Sequence, residues 1–150
     1  MATPISGLVG TWRGGGSGEY PTMESFAYHE EVRFTDLGVP ALVYAQRAWS
    51  PDDGDLLHLE TGLWRCDPEG ALAVTIALPR VTEISEGTVR GGAIRLSSTS
   101  VSRAAGGAGL VAVRRSYDLR GDTLAYEIAM ATERVGTRTR HLVGELLRVD

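Results

Sequence analysis

The chain has 150 residues, enough for one domain over residues 1–150 with a substantial core. Its 43% hydrophobic content and mean hydropathy of -0.07 suit a soluble globular protein. All fifteen basic side chains are arginines, set against nineteen Asp and Glu, and the formal charge of -4 argues against a nucleic-acid partner. The absence of lysine excludes Schiff-base chemistry and a P-loop, and the absence of asparagine excludes a glycosylation sequon. Cys66, the one cysteine, cannot form an internal disulfide or a CxxC metal site. The opening Met1-Ala2-Thr3-Pro4-Ile5-Ser6-Gly7 has neither a basic region nor an apolar one, and no apolar run approaches the roughly 18 residues of a membrane span. A cytoplasmic protein without a membrane partner is expected.

Turn signals recur about every 8–12 residues, the rhythm of a β sandwich or barrel. The first strand is predicted over Leu8 to Tyr20. From Phe26 the chain alternates, with Phe26, Tyr28, Val32 and Phe34 on one face and His29, Glu31, Arg33 and Thr35 on the other. Ala41 to Trp49, Leu56 to Cys66 and Ala71 to Leu78 follow, separated by Ser50–Asp55 and Asp67-Pro68-Glu69-Gly70. Val81 to Arg90 and Ala93 to Ser102 flank Gly91-Gly92. Ala104 to Gly109 carries too little side chain to pack and reads as a mobile loop. Leu110 to Leu119, Thr123 to Ala131 and His141 to Val149 complete about ten strands. The expected fold is all-β: an antiparallel closed β-barrel, since closure removes the exposed edges. A barrel of this size has room for a ligand.

Gly10-Thr11-Trp12-Arg13-Gly14-Gly15-Gly16-Ser17-Gly18 leaves every second position bare around Trp12, so something can approach the backbone closely there. No strand-then-helix context surrounds these glycines, which weakens a phosphate-binding reading. Only His29, His58 and His141 offer imidazoles. His29 alternates against the apolar face of its strand and should face water. The direction of His141 is open, because Leu142 and Leu146 alternate against Val143 and Leu147.

Gly-Thr-Trp-x-Gly-x-Gly, then Tyr20-Pro21-Thr22, then Phe26-x-Tyr28-x-Glu30-Glu31-Val32, resembles the nitrobindin family, also represented by the C-terminal domain of a THAP-type protein. The likeness continues through Leu57-His58-x-Glu60-x-Gly62, Glu83-x-x-Glu86-Gly87-Thr88, Arg115-Ser116-Tyr117, Leu124-x-Tyr126, Met130 and His141-Leu142. The resemblance implies a ten-stranded barrel related to lipocalins and fatty-acid-binding proteins. It implies one haem b per chain, with His141 as iron ligand and centre of the catalysis. It further implies nitric oxide as a ligand and, in the ferric state, isomerisation of peroxynitrite to nitrate. Thr22 matches a threonine near the haem edge, and His58 matches a cavity-lining histidine beside Leu57. Opposite parity lets Leu57 and His58 share a cavity only at a bulge or rim. Met130, in phase with Leu124, Tyr126 and Ile128, fills core or touches haem. Trp12 packs beneath the porphyrin or closes the barrel base. Leu57 and Met130 together would make the wall facing the iron mostly apolar. Arg103, Arg138 or Arg140 could pair with a propionate. The rival reading is a haem-free carrier of a small apolar ligand; either protein would be a monomer or homodimer.

Overall fold

Alternating burial runs through almost every extended segment, and that period of two is what a sheet with one wet and one dry face requires. The computed structural model describes residues 3–106 and 109–150. Ten strands form: β1 (Gly10–Tyr20), β2 (Met23–Asp36), β3 (Ala41–Trp49), β4 (Leu56–Cys66), β5 (Ala71–Leu78), β6 (Val81–Arg90), β7 (Ala93–Arg103), β8 (Leu110–Arg120), β9 (Thr123–Thr132) and β10 (Thr139–Arg148). Each pairs antiparallel with its neighbours in sequence, and β1 also pairs with β10, which closes the barrel. Among the described residues the ring of strands is continuous, although β7 and β8 pair only from Ala93–Ser97 to Arg114–Asp118, and the β7 end beyond Ser97 has no ladder partner on β8.

Two expectations need correction. The first strand begins at Gly10, because Ser6–Leu8 form one 3-10 turn that tucks Ile5 and Leu8 into the barrel floor. The last strand begins at Thr139, two residues early, because it carries a bulge at His141. Of the expected mobile loop, Gly107 and Ala108 lie outside the described residues. Among the described residues no helix is long and apolar enough to cross a membrane.

The two ends of the barrel differ. At the base, Trp12 is fully buried and its indole N–H donates to the Leu8 carbonyl at 2.8 Å. The Arg148 guanidinium lies 4.3 Å from the Trp12 ring and also donates to the carbonyl of Gly7 at 2.6 Å. At the other end the register slips repeatedly. Extra residues stand at Leu57 in β4, Thr99 in β7, Val111 in β8 and His141 in β10, and β1 and β2 lose step beyond Gly18. All five irregularities lie in the half away from Trp12. Bulges add local twist and re-aim side chains, so this half flares into a mouth.

Candidate functional site

His141 owes its position to the bulge. Arg140 opposes Ala129 and Leu142 opposes Ile128, so residue 141 has no partner on β9. Freed from strict alternation, His141 and Leu142 both reach the inner side of the rim. The imidazole meets the edge of Tyr20 at a centroid distance of 5.5 Å and that of Phe26 at 6.2 Å. Its Nδ1 lies 3.1 Å from the Glu19 carbonyl oxygen. A carbonyl can only accept, so Nδ1 carries the proton and Nε2 keeps the lone pair. Burial pulls the His141 pKa below the ordinary imidazole value, and the ring is neutral at pH 7. A neutral imidazole held by its far nitrogen is the state a metal ligand needs.

The second bulge places His58. Ala48 opposes His58 and Trp49 opposes Leu56, which leaves Leu57 as the extra residue. His58 turns inward and donates from Nε2 to Glu60 at 2.9 Å, whereas Leu57 is 48% exposed. The inner wall at this point is therefore a polar imidazole ring, not the leucine expected from sequence. Met130 is half-buried against Val81, Leu110 and Val113 near the mouth. Its carbonyl accepts from the Tyr20 hydroxyl at 3.1 Å. Thr22 is exposed in the turn between β1 and β2. His141, His58, Leu57, Met130 and Thr22 thus gather around one opening; Trp12 is at the opposite end, and His29 is exposed on the outer face of β2. Arg103 and Arg140 also reach this rim, paired with Glu133 and Glu19.

Below the mouth lies a layer of buried polar side chains that the sequence reading left without a role. Arg115 is 2% exposed and donates to both Glu83 and Glu60, with Nη2 2.7 Å from Glu83 and Nη1 2.6 Å from Glu60. Tyr44 adds a hydrogen bond to Glu60 at 2.7 Å. Burial alone would push the Glu60 pKa up, but the Arg115 charge and the His58 hydrogen bond outweigh it and hold the carboxyl well below its usual range. Nearby, Glu30 accepts from Tyr126 at 2.6 Å and from the Gln46 amide at 2.7 Å. The signal for these residues was phase: Glu30 alternates with Tyr28 and Val32, and Arg115 with Val113 and Tyr117, each on an apolar face. A charge in phase with a core stripe is a buried charge.

This layer surrounds a cavity of about 30 Å³ between His58, Gln46, Tyr126 and Leu142, room for a water and not for a tetrapyrrole. A macrocycle would stand above it, in the mouth, with His141 on one wall and His58 four strands round the ring. The donor chemistry fits haem: one neutral imidazole, aromatic rings beside it, and apolar Ile128, Met130 and Leu142 nearby.

Residues 1–148 match the family described as THAP4-like, heme-binding beta-barrel domain. The chain belongs to that family. Among relatives of the THAP4-like family, a peroxynitrite isomerase of Nocardia farcinica is 40% identical, with 97% of this chain and 89% of the relative aligned. A peroxynitrite isomerase of Streptomyces griseus is also 40% identical, over 99% of this chain and 83% of the relative. The crystal structure of Rv2717c from M. tuberculosis superposes with a TM-score of 0.90 at 36% identity, covering 100% of this chain and 99% of that one. A phycobiliprotein lyase from Guillardia theta, at 11% identity and a TM-score of 0.69, shares the fold alone.

Proposed function

We propose that the chain is a haem-dependent peroxynitrite isomerase that holds one haem b in the barrel mouth, converts peroxynitrite to nitrate in the ferric state and also binds nitric oxide. The observation that carries this reading is the His141 ring, neutral, anchored through Nδ1 to the Glu19 carbonyl and left with its Nε2 lone pair. The names of the relatives support the reaction. His141 would hold the haem iron through Nε2, and the bound group would supply Lewis acidity toward the peroxide oxygen of the substrate.

The chain's own residues do the remaining work. Glu19, Tyr20 and Phe26 restrict rotation of the His141 ring, so the ligand is pre-aimed. On the far wall His58 is fixed through its Nε2 hydrogen bond to Glu60, which spends that N–H on the carboxylate and holds the ring in one orientation. The closed wall below confines whatever reacts in the mouth. The apolar-carrier reading loses support here, because the interior beneath the rim is filled by paired ions and tyrosines. The reading retains a single domain in the cytoplasm, consistent with the unpaired Cys66.

A visible spectrum tests the site. Haem added to the purified chain should give a Soret band that His141→Ala loses and His29→Ala keeps. Stopped-flow decay of peroxynitrite should accelerate with the ferric protein. Equal decay with and without it would remove the isomerase assignment, and an intact Soret band in His141→Ala would remove the ligand.

A further inference from the structure

All five tyrosines of the chain are inside the barrel, none more than 6% exposed. Their hydroxyls are not equivalent. Tyr20 bonds a backbone carbonyl, and Tyr117 meets the Arg115 guanidinium at 3.5 Å. Tyr44 donates to Glu60, but that carboxylate is already held ionised by Arg115 and His58 and is a weak base. Tyr126 donates to Glu30 at 2.6 Å, and only neutral donors hold Glu30: Tyr126 on one oxygen and the Gln46 amide on the other. Burial raises the Glu30 pKa, which makes it the stronger proton acceptor of the two. Tyr28 meets Tyr126 hydroxyl to hydroxyl. Since the Tyr126 proton is committed to Glu30, Tyr28 is the donor, and the chain runs Tyr28 to Tyr126 to Glu30.

Aromatic rings connect this triad to the mouth and to the base. His141 and Phe26 are 6.2 Å apart, Phe26 and Tyr28 6.1 Å, Tyr126 and Tyr117 5.9 Å, and Tyr117 and Trp64 5.4 Å. Contacts this close allow an electron to leave the buried phenol without the oxidant entering the barrel.

We propose that Tyr126, with Glu30 as its proton acceptor, is a redox-active tyrosine that quenches one-electron oxidants derived from peroxynitrite, nitrogen dioxide above all. In the step, the Tyr126 O–H bond breaks. Its electron reduces nitrogen dioxide to nitrite, and its proton forms a new O–H bond on Glu30. The products in the barrel are a neutral phenoxyl and a protonated Glu30, so no buried tyrosyl charge has to be created, which a low-dielectric interior would penalise heavily. Tyr28 continues to donate to the phenoxyl oxygen. An external one-electron reductant such as ascorbate restores the phenol as Glu30 returns the proton. The source of the oxidant rests on the peroxynitrite reading above; the tyrosine–carboxylate site does not.

The test generates nitrogen dioxide by pulse radiolysis over the haem-loaded chain and, separately, over the haem-free chain, so that failure of haem binding cannot decide the result. Freeze-quench electron paramagnetic resonance should show a phenoxyl signal in both, formed more slowly in deuterium oxide. Tyr126→Phe, which keeps the ring and its packing, should abolish the signal. Glu30→Gln should form it about 100-fold more slowly, the low end for loss of a positioned base, and without the deuterium effect. An undiminished signal in Tyr126→Phe, or a wild-type rate in Glu30→Gln, overturns the proposal.

Discussion

Tyr28 on β2 and Tyr126 on β9 touch through their hydroxyls although two strands separate them. They share one row of the barrel: Tyr28 opposes Gly16, Gly16 opposes Gly144, and Gly144 opposes Tyr126. The two bare positions let both rings lie flat along the inner wall. A Cβ on Gly144 would stand 2.6 Å from the Tyr126 ring and hydroxyl. Gly144→Ala should therefore part the two phenols and destabilise the fold by about 1–3 kcal/mol, the usual range for an overpacked interior. Urea unfolding measures this, and an unchanged midpoint would mean that Tyr126 has somewhere else to go.

Arg115 neutralises two buried carboxylates at once. Arg115→Met leaves Glu60 and Glu83 without a cation and should cost about 3–5 kcal/mol, as for other broken buried ion pairs. Replacing all three by apolar residues of similar volume should restore most of that loss, because the desolvation penalty disappears with the charges. A single substitution as benign as the triple one would show that water reaches the layer.

Glu30 and Glu60 respond to pH with opposite sign. The folded pKa of Glu30 is raised above the unfolded value of about 4.3, so between those two values the folded state holds the extra proton and stability declines as pH climbs. Glu60 is depressed, so its contribution is present above the unfolded value and is lost as pH falls toward the folded one. Glu30→Gln should raise the urea midpoint at pH 7 and flatten the decline above about pH 4.3, leaving the acid-side loss intact. In the native protein Gln46 Nε2 faces Glu30 and its Oε1 is buried without a partner. With an amide at position 30 the Gln46 side chain can turn over so that Oε1 accepts the new N–H. A midpoint that drops at pH 7 would contradict this account.

Trp12 is fully buried at the base, seven residues along β1 from Glu19, whose carbonyl anchors His141. Trp12→Ala should cost about 3–5 kcal/mol, as for other buried aromatics, yet leave the haem titration unchanged. Weakened haem affinity in a folded Trp12→Ala protein would return this residue to the cofactor.

Strand periodicity was legible wherever local residues decide it. Ala41–Trp49, Leu56–Cys66, Ala71–Leu78 and Val81–Arg90 emerge with the boundaries that their turns predict. What local pattern could not supply was the break in it. The two faces at His141 look equally apolar in sequence because a bulge gives both residues 141 and 142 an inward direction, and a bulge depends on the partner strand. The same holds for Leu57 and His58. The ion layer was hidden for another reason: residues 30, 60, 83 and 115 come from four strands, and only barrel closure makes them neighbours.

The start of β1 and the tail after β10 are stitched together at the floor. The Thr11 N–H donates to the Asp150 carboxylate at 2.7 Å, and the Val149 N–H donates to the Thr11 carbonyl at 2.8 Å. Anything tethered after Asp150, whether a fused reporter, a neighbouring module or an electrode surface, therefore hangs from the side facing away from the opening. The barrel can be moored at its floor while gases and small anions still reach the rim.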